Sequence, residues 1–541
     1  MEISKLDRSR WIFIAIVGIA LSLICAGSAY NALKQYIDQG RSTAVAGGTG
    51  GITPVADLTS PDPIFSAAYT PGSDALPTYV CGADAFGSYF TLQQMQMSGK
   101  DVAHGFHLGI VPFQLDGDAA YDVSEEQRNG LLGAGKWDCL LTTLDAVSLS
   151  SAGVITAIID ESAGADQFWV RGIPTVNDLR GKRIAFSRGS VGEYFTYYVL
   201  SIARLNPRFD VTLVPKDSVT DAVAAFNNNE ADAVSGWEPD IYEAQNGGGT
   251  VLLSSSQLRI AMDVVVTSRQ SIAGKAQLVQ SFHDGWFDTL KDQVENFDQA
   301  AAQVAAWGHN DWSFVYPETA PDDLRLWLEN VAQADLGDNA FVMRDTTPII
   351  NRLEIARRVW AAAGATVPND EASSLVDAGF IARAAAQSAL QPKGNPVNDS
   401  FSLTTDPNLS GINESDAVTL AVLPCNRFTF LPESTTLTLE SHRVLDECVL
   451  PTLTQSVGLY LRVKGSSAWP GPKGAYTQDQ ILEVALGRAQ SVVDYLVSKG
   501  IDPARFLVDA ALPPQDHWET EDPDIQAQDR YVEMSLITVG R

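Results

Sequence analysis

The sequence predicts an α/β protein of two lobes, followed by a smaller α+β domain. Three observations carry this. Short apolar runs alternate with helical patterns of about a dozen residues. The 541 residues exceed what one hydrophobic core usually supports. Two loose stretches rich in Gly, Pro, Ser and Thr divide the chain. Strands alternating with helices imply parallel sheets joined by crossovers.

The elements follow in order. Lys5, Arg8 and Arg10 precede WIFIAIVGIALSLICAGSAY, a run of roughly 20 uncharged residues that matches the ~30 Å hydrocarbon thickness of a bilayer. Residues 1–38 are read as a cytoplasmic N-terminus and transmembrane signal anchor. Residues 11–30 lie in the bacterial inner membrane on this reading, and the basic flank keeps the bulk of the chain outside, in the periplasm or cell envelope. A cleaved secretory signal, favoured by the small residues of CAGSA, is the competing reading, and it exports the rest equally. Residues 39–75 form a linker. Residues 76–390 hold the two lobes, beginning with LPTYVCGADAFGSYF, HGFHLGIVPF and WDCLLTTLDAV as strands. Further strands are read in KRIAF, DVTLVP, ADAVSG and DVVVTS, and helical spacing dominates from about Gln270 to Gln387. Residues 391–416 are a second linker, and 417–541 read strand, helix, strand, helix, strand.

Composition excludes several functions. With 37 basic and 66 acidic side chains the formal charge is -29, which repels nucleic acid and anionic lipid surfaces. Six scattered histidines and no metal-ligand spacing predict neither a metal site nor a cofactor, and no activated nucleophile points to an enzyme. Cys81, Cys139, Cys425 and Cys448 are an even number in an oxidising compartment. Cys425 with Cys448 is the preferred disulfide, since both fall in one small domain. Buried free thiols are the alternative.

Ligands of open α/β sheets sit at the carboxyl ends of strands, where the backbone diverges into a crevice. ADAVSG is such a strand; Pro239 stops it and leaves Trp237 and Glu238 at its end, an aromatic wall and an acceptor for a cationic or amino ligand. SRGSVG places Ser187, Gly189 and Ser190 at a helix start, where free N–H groups attract an anion or a carbonyl oxygen. In the other lobe, Thr142 and Thr143 follow a strand, as do Asp84 and Phe86. Each has a plainer reading: a helix cap for the serines, a core aromatic for Trp237, a hinge acceptor for Glu238 and turn hydroxyls for the threonines. Arg188, turned inward, would argue for an anion.

ADQFWVRGIPTVNDLRGKRIAFSRGSVGEYFTYYVL followed by VTDAVAAFNNNEADAVSGWEPDI resembles the periplasmic substrate-binding proteins of the nitrate, sulfonate and thiamine-precursor type, over roughly Thr78 to Gln387. The resemblance rests on a DLRGKRIA strand, a Ser/Gly loop opening a helix, and a DAVSGWEP segment in that order. It implies a type II periplasmic-binding-protein fold, a small-molecule ligand between the lobes, and a membrane permease or sensor as partner in an ABC transporter setting. VALGRAQSVVDYLVSKGIDPARF with DRYVEM resembles the OmpA-like peptidoglycan-binding domain. That resemblance offers Arg488 for peptidoglycan, but Ala468 and Ile481 stand where the family has an aspartate and an asparagine. The combined expectation is an envelope-tethered solute-binding protein acting in capture or sensing. The rival is a structural or partner-binding scaffold with a vestigial cleft; an enzyme using Asp84 and Glu238 as acid and base is a third reading.

Overall fold

GVITAIIDES, Gly153–Ser162, is buried along its whole length, as a strand covered on both faces must be. It organises the first lobe. The computed structural model describes residues 60–84, 86–113, 125–307, 328, 330–390, 412–456 and 458–539. The anchor expected over 11–30 and most of both linkers lie outside the described residues. Among the described residues no helix is long and apolar enough to cross a membrane.

The chain begins with β1 (Thr78–Ala83), β2 (His107–Pro112), β3 (Cys139–Thr143) and β4 (Gly153–Ser162). It then crosses to β5 (Asp166–Val170), β6 (Arg183–Ser187), β7 (Thr212–Lys216), β8 (Ala233–Trp237) and β9 (Thr250–Ser254). It returns with β10 (Met262–Ser268) and β11 (Val331–Gln333), and ends with β12 (Ala417–Thr429), β13 (Tyr460–Ser466), β14 (Phe506–Ala511) and β15 (Tyr531–Val539). The sheet orders are β11-β4-β10-β3-β1-β2, β7-β6-β8-β5-β9 and β12-β15-β13-β14.

The expectation of purely parallel sheets needs correcting. β1, β2 and β3 are parallel, but β10 runs antiparallel between β3 and β4. In the second lobe β5 runs antiparallel to β8 and β9. The cause is topological: β5 and β10 are the strands that enter each lobe from the other one, so they arrive from the hinge end.

Two crossings join the lobes, residues 163–165 and 255–261, and they are tied together. The Ser162 and Ser255 hydroxyls lie 2.7 Å apart, and Ser255 Oγ also accepts from Gly164 N at 2.8 Å. Ser255 N donates to Asp166 O at 2.8 Å, and Ser162 N to Ala261 O at 2.9 Å.

Two disulfides brace the chain. Cys81–Cys139 links β1 to β3 at paired positions with Cα atoms 4.5 Å apart, a bridge the sequence reading did not assign. Cys425–Cys448 ties β12 to the turn of helix after it.

In the terminal domain the helix Gln478–Ser498 starts on a Thr477/Gln480 capping box and buries Ile481, Ala485, Ala489, Val492 and Leu496, the i, i+4 spacing of one face. It lies so close to β13 that a Cβ on Gly465 would stand 1.9 Å from Ala485 O. The domain also seats on the second lobe. Asn177 exchanges hydrogen bonds with the Val422 backbone at 3.1 and 2.8 Å. Gly458 N donates to Gln257 O at 3.2 Å, and Gln257 Nε2 reaches Thr538 Oγ1 at 3.4 Å.

Gly465→Ala should therefore destabilise the terminal domain by roughly 3 kcal/mol or more, since the obstacle is helix backbone and cannot rotate away. Urea unfolding followed by Trp fluorescence checks this; an unchanged midpoint would contradict the packing.

Candidate functional site

The carboxyl end of the first sheet places polar side chains in a row. β3, β10, β4 and β11 are adjacent, and their registers align Thr143 with Asp263, Asp263 with Asp160, and Asp160 with Gln333. Directly opposed residues on neighbouring strands point to one face. That face is covered by the turn Gly87–Tyr89 after β1. Tyr89 donates its hydroxyl to Asp263 Oδ1, and Phe86 packs edge-on against Tyr89 with ring centres 5.5 Å apart. Asp84 lies within electrostatic reach of both Tyr89 and Asp263.

The second lobe answers with acids of its own. Asp166 opens β5 opposite Trp237. Glu238 follows Trp237 and is 5% exposed; its Oε2 accepts from Tyr242 Oη at 2.5 Å and from Asn330 Nδ2 at 3.0 Å.

Burial is what sets the chemistry of this region. Desolvation pushes the carboxyls of Asp145, Asp160 and Asp166 up to about 7 each. Like charges add to it: Asp166 feels Glu238, Asp160 and Asp145, while Asp145 feels Glu125. Asp263 is driven up well above the usual carboxylate range, by burial first and then by Asp160. Because Asp166 belongs to one lobe and Asp160 and Asp145 to the other, these effects place both lobes around one buried acidic group.

The sequence-predicted residues divide into two sets. Asp84, Phe86, Thr143, Trp237 and Glu238 lie at or beside this group, with Thr143 next to Asp145 and acting to lower its pKa. Trp237 also packs against the apolar core of the second lobe. Thr142, one residue along the pleat, points the other way and lines a cavity of about 10 Å³ with Glu125 and Arg128, room for about one water. A larger hollow of about 640 Å³ opens at the opposite end of the first sheet, beside Thr78, Gly105 and Lys275.

The loop Ser187–Ser190 turns inward on itself. Ser190 Oγ donates to Ser187 O at 2.7 Å and accepts from Gly192 N at 3.2 Å, which makes it the cap of the helix Val191–Ile202. Gly189 N donates to Glu193 Oε2 at 2.7 Å, and Ser187 Oγ reaches Asp217 O at 3.5 Å. Arg188 is exposed rather than turned inward.

Sequence reasoning passed over Asp145, Asp160, Asp166, Asp263 and Tyr89. A signal existed for some of them: Asp160 is the first charge reached after seven apolar or small residues, and Asp166 and Asp263 sit at the starts of apolar strands.

In the terminal domain Arg488 is 1% exposed. Its guanidinium donates to Ser434 O at 2.9 Å, Ser466 O at 2.8 Å and Leu431 O at 3.4 Å, and lies over the Phe430 ring. Burial lowers its pKa to about 10. Ala468 and Ile481 are both buried, and Trp469 stacks on Trp518 with centroids 4.5 Å apart.

Comparison with known proteins gives the following. The family model described as NMT1/THI5 like matches residues 155–300, from β4 through the second lobe and into the third of the helices after β10. No curated protein matches. Among solved structures, the alkanesulfonate-binding protein from Xanthomonas axonopodis pv. citri bound to MOPS is 18% identical, with 57% of this chain and 100% of that chain covered and a TM-score of 0.43. The periplasmic nitrate-binding protein from Synechocystis PCC 6803 is 11% identical, with 59% and 92% covered and a TM-score of 0.43.

The buried acids generate a prediction about pH. Their folded pKa values lie above the unfolded value of about 3.9, so the folded protein binds more protons and stability falls as pH rises from about 4 to about 7. Asp166→Asn should remove its share: relative to wild type the variant should gain stability between about pH 5 and about pH 8. Urea titrations at both pH values measure this, and an equal difference at the two would contradict the burial.

Proposed function

We propose that this chain is an extracytoplasmic small-molecule-binding protein whose two lobes close on a solute, with its terminal domain serving to hold it in the cell envelope. The observation that carries the reading is the meeting of buried polar groups from the carboxyl ends of both sheets beside two tied crossings. Such an arrangement suits closure about a hinge driven by contacts that exist only when both faces meet the ligand. The NMT1/THI5-like match over 155–300 supports a solute-binding module of the ABC-transporter kind. On this reading Asp84, Phe86, Thr143, Trp237 and Glu238 line the ligand, while Thr142, Ser187, Gly189 and Ser190 shape the loops around it.

The envelope address extends the same proposal. Residues 11–30 would hold the chain in the inner membrane, and a permease or sensor would receive the solute or the signal. The brace that Arg488 forms, and the apolar packing of Ala468 and Ile481, favour a scaffold role for that domain.

A second reading has its own support. Tyr89, Asp160 and Asp263 are 4%, 0% and 5% exposed, which is also how a scaffold with a filled cleft would look.

Native mass spectrometry of the full-length chain from its own cells separates the two. A retained small molecule is expected, and adding back that molecule should raise the melting temperature by about 4 °C or more. A bare mass, together with a solute screen that leaves the melting temperature unmoved, would favour the scaffold.

A further inference from the structure

We propose that the interlobe site takes an organic cation, an ammonium or amidinium group, and that entry of this charge is what permits the lobes to close. The inference rests on the solute-binding reading and names the ligand class for it.

The first ground is a set of buried acceptors with no donor. Asp160 is 0% exposed, and neither of its carboxylate oxygens has a hydrogen bond of ordinary geometry, although the Asp263 carboxyl lies close enough to act on it. One oxygen of Asp166, 4% exposed, is in the same condition. Beside Asp160 the Ser88 hydroxyl, also 0% exposed, is near enough to favour the charged form of the acid but makes no hydrogen bond of ordinary geometry. Acceptors of this kind, aimed inward from two lobes, call for a group that brings both positive charge and N–H donors.

The second ground is the disposition of the chain's own charges. The ionic groups that bear on Asp166 and Asp263 are other carboxylates, with Glu238, Asp160 and Asp145 acting on the first and Asp160 and Asp84 on the second. Arg188, the cation best placed in sequence to greet an anion, is exposed. The amides at the start of the helix Val191–Ile202 could have held an anion, but Ser190 and the Glu193 carboxylate already occupy them. Glu193 and Glu125 lie within electrostatic reach of each other across the lobes, and each is accompanied by a guanidinium, Arg188 for the first and Arg128 for the second, so the cations of this rim are already matched by carboxylates.

An organic cation fits better than a metal ion. Among the described residues no group of three or more His, Cys, Asp or Glu side chains is placed to hold a metal. The acids are spread over both lobes, with the aromatic rings of Phe86 and Tyr89 between strand ends, and ring faces attract ammonium and guanidinium-like groups.

The test is thermal-shift and calorimetric titration of the full-length chain with two sets of probes. Tetramethylammonium, butylammonium and benzamidinium chlorides form the first; sodium methanesulfonate and sodium nitrate form the second, with magnesium and zinc chlorides as metal controls. Stabilisation by the organic cations alone is the expected result. Asp160→Asn and Asp166→Asn should then weaken the binding of the best probe by about 30-fold or more, while unfolding in urea occurs at the same or higher denaturant. Stabilisation by the anions alone, or by the metals alone, would overturn the ligand class and leave the solute-binding reading standing. Undiminished cation binding in both variants would overturn the assigned site. If no probe of either sign stabilises the protein, the solute-binding reading falls and this inference with it.

Discussion

The tie between the two crossings is the constraint on which the rest of the architecture depends. Ser162 ends one lobe's strand and Ser255 follows the other's; their hydroxyls meet at 2.7 Å, and Gly164 N joins them at 2.8 Å. These two contacts fix where β4 becomes β5 and where β9 becomes β10. Each sheet thereby acquires a strand running against its neighbours, and the carboxyl ends of both sheets come to face the same place. The polar row Thr143, Asp263, Asp160 and Gln333 and the acids Asp166 and Glu238 are neighbours because of that tie, although the chain separates them widely.

Burying so many carboxylates is unfavourable in isolation, since each must shed water without a cation to replace it. The protein offsets part of this with single donors: Tyr89 to Asp263, and Tyr242 and Asn330 to Glu238. Asp160 and one oxygen of Asp166 have no donor at ordinary hydrogen-bond geometry, only the nearby influence of Ser88 and Asp263 on the first and of Ser162 on the second. Apolar groups of similar volume would stabilise such a region more, so these acids are costly to the fold where they stand.

The general plan was legible in the sequence, and the reasons are local. KRIAF, ADAVSG and DVVVTS read as strands because apolar side chains crowd into short runs, and Ser190 read as a cap because a hydroxyl precedes a helical pattern. Strand direction was not legible: nothing in DQFWV or MDVVVTS reveals that the chain has just crossed between lobes. β4, β9, β11 and β14 were missed, the first because GVITAIIDES lacks the alternation of a half-exposed strand. Among the acids, Glu238 and Asp84 stood out in the sequence because they follow strands. Asp160 and Asp263 were not, since their importance comes from cross-strand register, which only the folded sheet supplies. Arg488 illustrates the opposite error of emphasis: a family resemblance singled out a residue whose surroundings employ it as an internal brace.

The seating of the terminal domain has a mechanical consequence. Gly458 approaches so closely that a Cβ there would lie 2.7 Å from Gln257 Cα, and Gln257 belongs to the crossing between β9 and β10. Asn177 anchors the same domain to the second lobe from another side. Whatever holds the terminal domain therefore also holds one of the two straps about which the lobes would turn. Torque arising in the strap would be delivered directly to the terminal domain, and a force on that domain would bias the angle between the lobes.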